Sequence, residues 1–215
     1  MGADFVMTGS INQCTVEAGT SDLVKQMLQE VDIQDTDYAP AGDMFEMGAK
    51  VQVMKKGVFF PARASRLHAL YTQYGSLEEI PASVREQLEQ KYFRRSLDAI
   101  WAETQDFFRS RGQQAEIDKA LAQPKHRMAL VFRWYFGHSM RVAFAGDEAH
   151  RVDFQVHTGP AMGAFNRWVR GGAWESWRER HVDRIGERLM LDAAALMLQR
   201  ITALQLPACP EAAHA

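Results

Sequence analysis

At 215 residues and 24.4 kDa, with 47% hydrophobic residues, the chain is long enough for one or two packed domains. Its 25 basic and 27 acidic residues leave a formal net charge of -2, which argues against the broad cationic footprint of a nucleic-acid binder. The N-terminus shows no basic region followed by a long apolar run, and no segment approaches the ~20 apolar residues of a membrane helix, so neither secretion nor membrane insertion is expected.

Residues 4 to 8 form a short apolar run of strand formers that ends at Gly9-Ser10, which predicts one buried strand. Thr20 and Ser21 offer capping hydroxyls to a helix carrying Leu23, Val24, Met27 and Leu28, so a βα unit of about 30 residues is expected. Two further extended pieces are predicted around 37–39 and 50–54, separated by a loop holding Pro40, Gly42 and Gly48. On the second, Val51 and Val53 face one way and Lys50, Gln52 and Met54 the other.

From Pro61 helical spacing dominates, with an apolar stripe from Ala64 to Tyr74 closed by Gly75. Pro81 and Ser83 open a second helix, Ser96 a third with Ile100, Trp101, Phe107 and Phe108, and a shorter one covers about 113 to 122. Pro124 starts a long helix from Met128 to Val142, whose apolar load places it at the centre of a helical cluster. Gly146-Asp147 breaks it, Val152 to Val156 alternates like a brief strand, and Gly159-Pro160 turns into an amphipathic segment ending at Gly171-Gly172. A last helix runs from about Arg180 to Leu204, and a disordered tail is expected over 206–215. The fold class is mainly α with a short N-terminal α/β piece, divided near Pro61 into units of 1–60 and 61–205.

Several residue groups are candidates for chemistry. The turn Thr8-Gly9-Ser10-Ile11-Asn12-Gln13 has the form of a phosphate-holding turn: Gly9 permits close backbone approach, Ser10 adds a donor, and Asn12 or Gln13 meets a cofactor's rim. The competing reading is a structural turn at a strand end. A second special turn, Gly159 to Asn166, suggests that both ends of the chain share one surface. Lys50, Lys55 and Lys56 read either as phosphate contacts or as a surface strand beside a core-facing loop. Arg167, Arg170, Arg178 and Arg184, interleaved with Trp168, Trp174 and Trp177, read as a solvated face or as a docking face for an acidic partner. The histidines show no metal-ligand spacing; His157 is the candidate acid, or else a hydrogen-bonded turn residue. Cys14 has no local basic group to activate it, and Cys14 and Cys209 show no pairing pattern, which fits a reducing, cytoplasmic setting.

Beyond these readings, Gly2 to Gln13, Glu17 to Ser21, Asp43 to Gly48, Phe93 to Trp101, Phe132 to Tyr135 and Gly159 to Asn166 resemble the C-terminal half of PfaD-type proteins, the trans-acting enoyl reductases of polyketide and polyunsaturated fatty acid synthases. The resemblance implies a nitronate monooxygenase-like FMN barrel that reduces an enoyl thioester on an acyl carrier protein, with NADPH as hydride donor. It assigns 1–60 to the terminal βα unit of an incomplete TIM-type barrel and 61–205 to a helical domain similar to the one inserted in acyl-carrier-protein malonyltransferases. Gly9 and Ser10 would then meet the FMN phosphate. The earlier barrel strands and the family's catalytic positions have no counterpart in these 215 residues, so the chain is expected to be inactive without that missing half. The alternative is a non-catalytic helical module that docks acyl carrier protein or scaffolds the synthase.

Overall fold

The computed structural model describes residues 7–204. The expected strand at 4 to 8 lies mostly outside these residues; Thr8, its last member, is exposed and not in a strand. The tail from 206 to 215 lies outside them as well.

The described residues are mainly helical, with one two-stranded antiparallel sheet. Strand β1 (Thr36–Pro40) pairs with β2 (Lys50–Met54), from Thr36 opposite Met54 to Pro40 opposite Lys50. A 3-10 turn at Phe45–Met47 lies between them and closes on Gly48, whose φ of 72° is in the left-handed region that suits glycine. Val53 is buried and Val51 half-buried against the helical core, as the alternation requires. Met54 is buried too, in a second apolar cluster, so this end of the sheet is covered on both faces.

The helices are α1 (Asp22–Gln29), α2 (Phe60–Gln73), α3 (Ala82–Gln87), α4 (Leu97–Ser110), α5 (Gln114–Ala122), α6 (Pro124–Ala145), α7 (Pro160–Val169) and α8 (Val182–Leu204). Local chemistry sets their ends. Ser21 Oγ accepts the Val24 N–H and Ser96 Oγ the Ala99 N–H, each satisfying a donor left open at a helix start. Helix α3 continues as a π-helical turn at Leu88–Phe93, which stops at Arg94 with φ 53°.

Helix α6 carries the centre of the larger core, where Met128, Val131, Phe132 and Tyr135 are fully buried. Aromatic contacts lock it to its neighbours: Phe45 meets Phe136 edge-on at 5.4 Å, and Phe60 stacks on Tyr135 at 6.0 Å. The second cluster joins Ile11, Val24 and Leu28 to Val142, Phe154, Met162 and Phe165. Each cluster draws on residues from both sides of Pro61.

The strand expected at 152–156 is not formed. Glu148–Asp153 is a 3-10 helix, and Asp153, Phe154, Gln155 and Val156 are buried in succession, which no alternating strand allows. The cause is Asp153: it pairs with Arg63, accepts from Tyr135 Oη at 2.7 Å and lies 3.7 Å from Arg94. An inward carboxylate followed by an inward phenyl ring breaks the period. Pairing begins later, where Val156 O accepts the Met54 N–H, Thr158 N donates to Gln52 O, and His157 bridges Val53.

Candidate functional site

The two special turns meet. Gly159 N donates to Ser10 Oγ at 3.0 Å, which joins the start of α7 to the N-terminal turn. Ser10 precedes a short 3-10 helix, Ile11–Cys14, in place of the longer helix that a βα unit would supply at once. Because Ser10 accepts through an oxygen lone pair, its hydroxyl proton stays available to an anion. A Cβ on the exposed Gly9 would meet nothing within 4 Å, so its backbone is open to close approach. Thr8 is exposed beside it. Together these residues form one open edge beside the start of α7.

The run from Gly159 to Asn166 is a clamp. At Gly163 a Cβ would fall 2.2 Å from Asp32 C and Ile33 N, so α7 packs by its bare backbone against the segment after α1. Asn166 Nδ2 donates to Leu28 O at 2.9 Å and Val31 O at 2.8 Å, satisfying carbonyls at the end of α1.

Beside this clamp lies a groove of about 740 Å³, walled by Val51, Phe107, Phe108, Trp134, Phe136 and Met140. Across Met140, Gln155 and His157 it adjoins a recess of about 450 Å³ lined by Asn12, Gln13, Gly19 and Phe144. The predicted rim residues Asn12 and Gln13 thus stand at one end of a long apolar surface. Its polar centre is the Gln155 and His157 pair, whose side-chain Nε2 atoms are 2.6 Å apart. Desolvation lowers the His157 pKa, opposed by Asp43, so the imidazole is neutral near pH 7. The Gln155 amide donates to its unprotonated Nε2, leaving the ring proton on Nδ1. Gln155 Oε1 is buried without a partner, an acceptor beside the groove.

His157 is legible in the sequence, whereas Phe107, Phe108 and Met140 read there as members of apolar helix stripes; Phe107 is 48% and Met140 39% exposed. The available signal was an apolar load on α4 and α6 wider than one packing face needs.

Other candidates take different places. Phe45 is fully buried, Lys56 Nζ donates to Glu30 O at 2.6 Å, and Lys50 and Lys55 are exposed. Arg167 pairs with Asp32 at 2.7 Å, and Arg178 lies over the Trp177 ring at 4.5 Å. Arg170 lines a polar recess with Asp32 and Lys56, and Arg184 is exposed on α8. Cys14 does have a basic neighbour, Arg180 Nη1 at 3.1 Å, which lies too far along the chain for a local motif to reveal. Burial still raises the thiol pKa, outweighing Arg180 and Lys25, so the sulfur stays protonated. Among the described residues no group of histidine, cysteine and carboxylate side chains is placed to hold a metal, and no helix is long and apolar enough to cross a membrane.

A helical cluster with an apolar groove beside a small sheet has known relatives. Residues 74–154 match the family described as acyl-carrier-protein S-malonyltransferase, inserted helical domain. The chain is 55% identical over 207 residues to the polyketide biosynthesis protein PksE of Bacillus subtilis (strain 168), covering 96% of this chain and 26% of that protein. It is 44% identical over 172 residues to a polyunsaturated fatty acid synthase protein of a Thraustochytrium species, covering 80% of this chain and 12% of that protein. The crystal structure of the enoyl reductase domain of MlnA, from the macrolactin biosynthesis cluster of Bacillus amyloliquefaciens, matches with a TM-score of 0.88 at 49% identity, covering 94% of this chain and 45% of that one. The chain therefore spans about a quarter of the first relative and under half of the solved chain. It resembles the C-terminal half of PfaD-type enoyl reductases, and its described residues are mainly helical with one two-stranded sheet.

Proposed function

We propose that the chain is the C-terminal portion of a trans-acting, FMN-dependent enoyl-acyl-carrier-protein reductase of polyketide or polyunsaturated fatty acid biosynthesis. The observation that carries this reading is the apolar surface running from Phe107 past Gln155 and His157 to Asn12 and Gln13. An acyl chain packs along Phe107, Val51 and Met140, and its thioester comes to the polar centre, where His157 Nδ1–H donates toward the carbonyl oxygen. Thr8, Gly9 and Ser10 hold the FMN phosphate through backbone and hydroxyl donors, and Asn12 and Gln13 meet the cofactor's rim. FMN, when bound, supplies the hydride, with NADPH as its source. Acyl carrier protein docks on Arg167, Arg170, Arg178 and Arg184.

A flavin site is a concave pocket lined from several strands, and the two antiparallel strands among the described residues do not enclose one. The missing barrel half, on another polypeptide or another part of a longer one, completes the pocket, and this chain alone is inactive. The test mixes the 215-residue chain with the N-terminal barrel half taken from the solved reductase domain. A yellow complex that oxidises NADPH only with an enoyl thioester present is the expected result. Carrier-protein binding without flavin uptake or turnover in that mixture would replace this reading with the non-catalytic docking module.

A further inference from the structure

Next to the apolar groove lies a second recess, of about 400 Å³, with a different chemistry. Its walls present the guanidinium groups of Arg94, Arg95 and Arg141 and the imidazoles of His138 and His150, against a single carboxylate, Glu103. That carboxylate is shared: it pairs with Arg95, lies 3.8 Å from Arg141 and accepts the Trp134 Nε1–H at 2.9 Å. Arg94 Nη2 approaches Asp153 at 3.7 Å, but Asp153 is already engaged by Arg63 and Tyr135. His150 in turn is paired with Asp147 at 2.7 Å, so the surplus of positive charge in the recess rests on the three guanidinium groups.

Two features show that this surplus is built in. Arg94 is the one non-glycine residue with positive φ among the described residues, at 53°. That strained backbone stops the π-helical turn and sets Arg94 facing the 3-10 segment, with Nη1 3.4 Å from Ala149 O. In addition, His138 stacks on Trp134 at 4.7 Å and meets His150 edge-on at 5.4 Å, which gives the recess a rigid aromatic floor. Trp134, Glu103 and Arg141 line both this recess and the apolar groove, so the two are continuous across the Trp134 indole.

From this juxtaposition we infer that Arg94, Arg95 and Arg141 hold the phosphate of a phosphopantetheine arm whose acyl thioester lies in the apolar groove. The inference rests on the groove being the acyl site and adds the group that the arm's anionic end needs. Guanidinium fits a phosphate with paired donors, and Trp134 packs along the arm between the two ends. The arm would enter at the Arg95 and Arg141 mouth, where both side chains are partly exposed, at 44% and 67%.

The test titrates the 215-residue chain with three probes, using calorimetry and Trp134-sensitive fluorescence: the crotonyl thioester of phosphopantetheine, the same thioester of pantetheine lacking the phosphate, and inorganic phosphate. The phosphorylated thioester should bind about tenfold tighter than its dephosphorylated form, the value of one charge-assisted pair. That ratio should shrink with salt and vanish in the double variant Arg95→Gln, Arg141→Gln. Both positions are at the surface, and circular dichroism checks that the variant is folded; Arg94→Gln gives an independent reading. Equal binding of the two thioesters overturns the phosphate site and leaves the groove standing. Binding of neither thioester overturns both. Inorganic phosphate binding as tightly as the phosphorylated thioester makes this a free-phosphate site and overturns the arm assignment.

Discussion

Ser10 and Gly159 stand 149 positions apart and are joined by a hydrogen bond of 3.0 Å from the Gly159 N–H to the Ser10 hydroxyl oxygen. The bond ties the turn that offers an open edge to an anion to the helix that clamps α1. Gly159 is buried, so its N–H has no recourse to bulk water. Ser10→Ala should therefore cost about 1 to 3 kcal/mol in urea unfolding, the desolvation of an orphaned donor. Gly9→Asp should leave that curve unchanged, because a side chain there meets open space. In the complex with the barrel half, the same Gly9→Asp chain should bind FMN more weakly than wild type, through repulsion of the phosphate. Equal FMN titrations would remove Gly9 from the cofactor site.

Gly163 is held by a close approach. A methyl group there would fall 2.2 Å from the Asp32 and Ile33 backbone, and no flexible side chain is available to yield. Gly163→Ala should destabilise the fold by about 3 kcal/mol by forcing α7 away from the segment that follows α1. A midpoint close to wild type in chemical unfolding would show that the helix can shift without loss.

Asp153 is the anchor of the segment that presents Gln155 and His157. Its side chain is 2% exposed and pairs with Arg63, which is 16% exposed, and it accepts from a Tyr135 hydroxyl whose pKa burial drives upward. Asp153→Asn leaves a buried guanidinium without its counter-charge, which costs about 3 to 5 kcal/mol when one partner of such a pair is removed. Proteolysis should then open the chain between Glu148 and Thr158 before other sites. A wild-type melting curve for this variant would mean that Arg94 and Arg63 find compensation elsewhere.

The helices were legible because their boundaries are written locally: Ser21 and Ser96 cap, Pro61 and Pro124 sit in first turns, and Gly146 ends α6 in the left-handed conformation. The two extended runs on either side of the glycine-bearing loop were legible as well, and their antiparallel pairing is what the structure adds. What stayed hidden was non-local. Nothing near Val152 announces that Asp153 has partners at Arg63 and Arg94, so the alternation read as a strand. Arg180 likewise fits a surface helix by sequence, yet it is 1% exposed and bonded to Trp174 O, Glu175 O and Cys14. Of the site, the sequence marked Ser10, Asn12 and Gln13 as one turn and His157 apart from it. The groove that relates them depends on α4 and α6 leaving Phe107 and Met140 uncovered, which only packing decides.

Met140 lines both apolar recesses, and its side chain is partly exposed, so its size can be changed without disturbing the core. In wild type, affinity for acyl thioesters of increasing length should rise by about 0.8 kcal/mol per methylene until the groove is full. Met140→Trp should end that rise at a shorter chain while leaving the melting temperature unchanged. A parallel series of affinities for the two proteins would place the acyl chain elsewhere.

Two histidines near the groove give stability a defined pH dependence. Burial lowers the pKa of His138 from the ordinary 6.5, with the nearby positive charges of His150 and Arg141 acting in the same direction, and Asp153 and Glu103 opposing. Partial desolvation of its ring also lowers His157, against the pull of Asp43. Each ring in the unfolded chain takes up its proton near pH 6.5, while in the folded chain it stays neutral to lower pH. The unfolded state then binds more protons, so folding stability must fall as pH drops through about 6.5, and the loss levels off below the folded pKa values. His157→Asn, which keeps a polar group beside Gln155 but cannot titrate, should flatten part of that fall, and adding His138→Asn should flatten more. Imidazole proton resonances followed by NMR check the cause directly: both rings should titrate below the ordinary value, and a midpoint above 6.5 for either one would reverse the sign of its contribution.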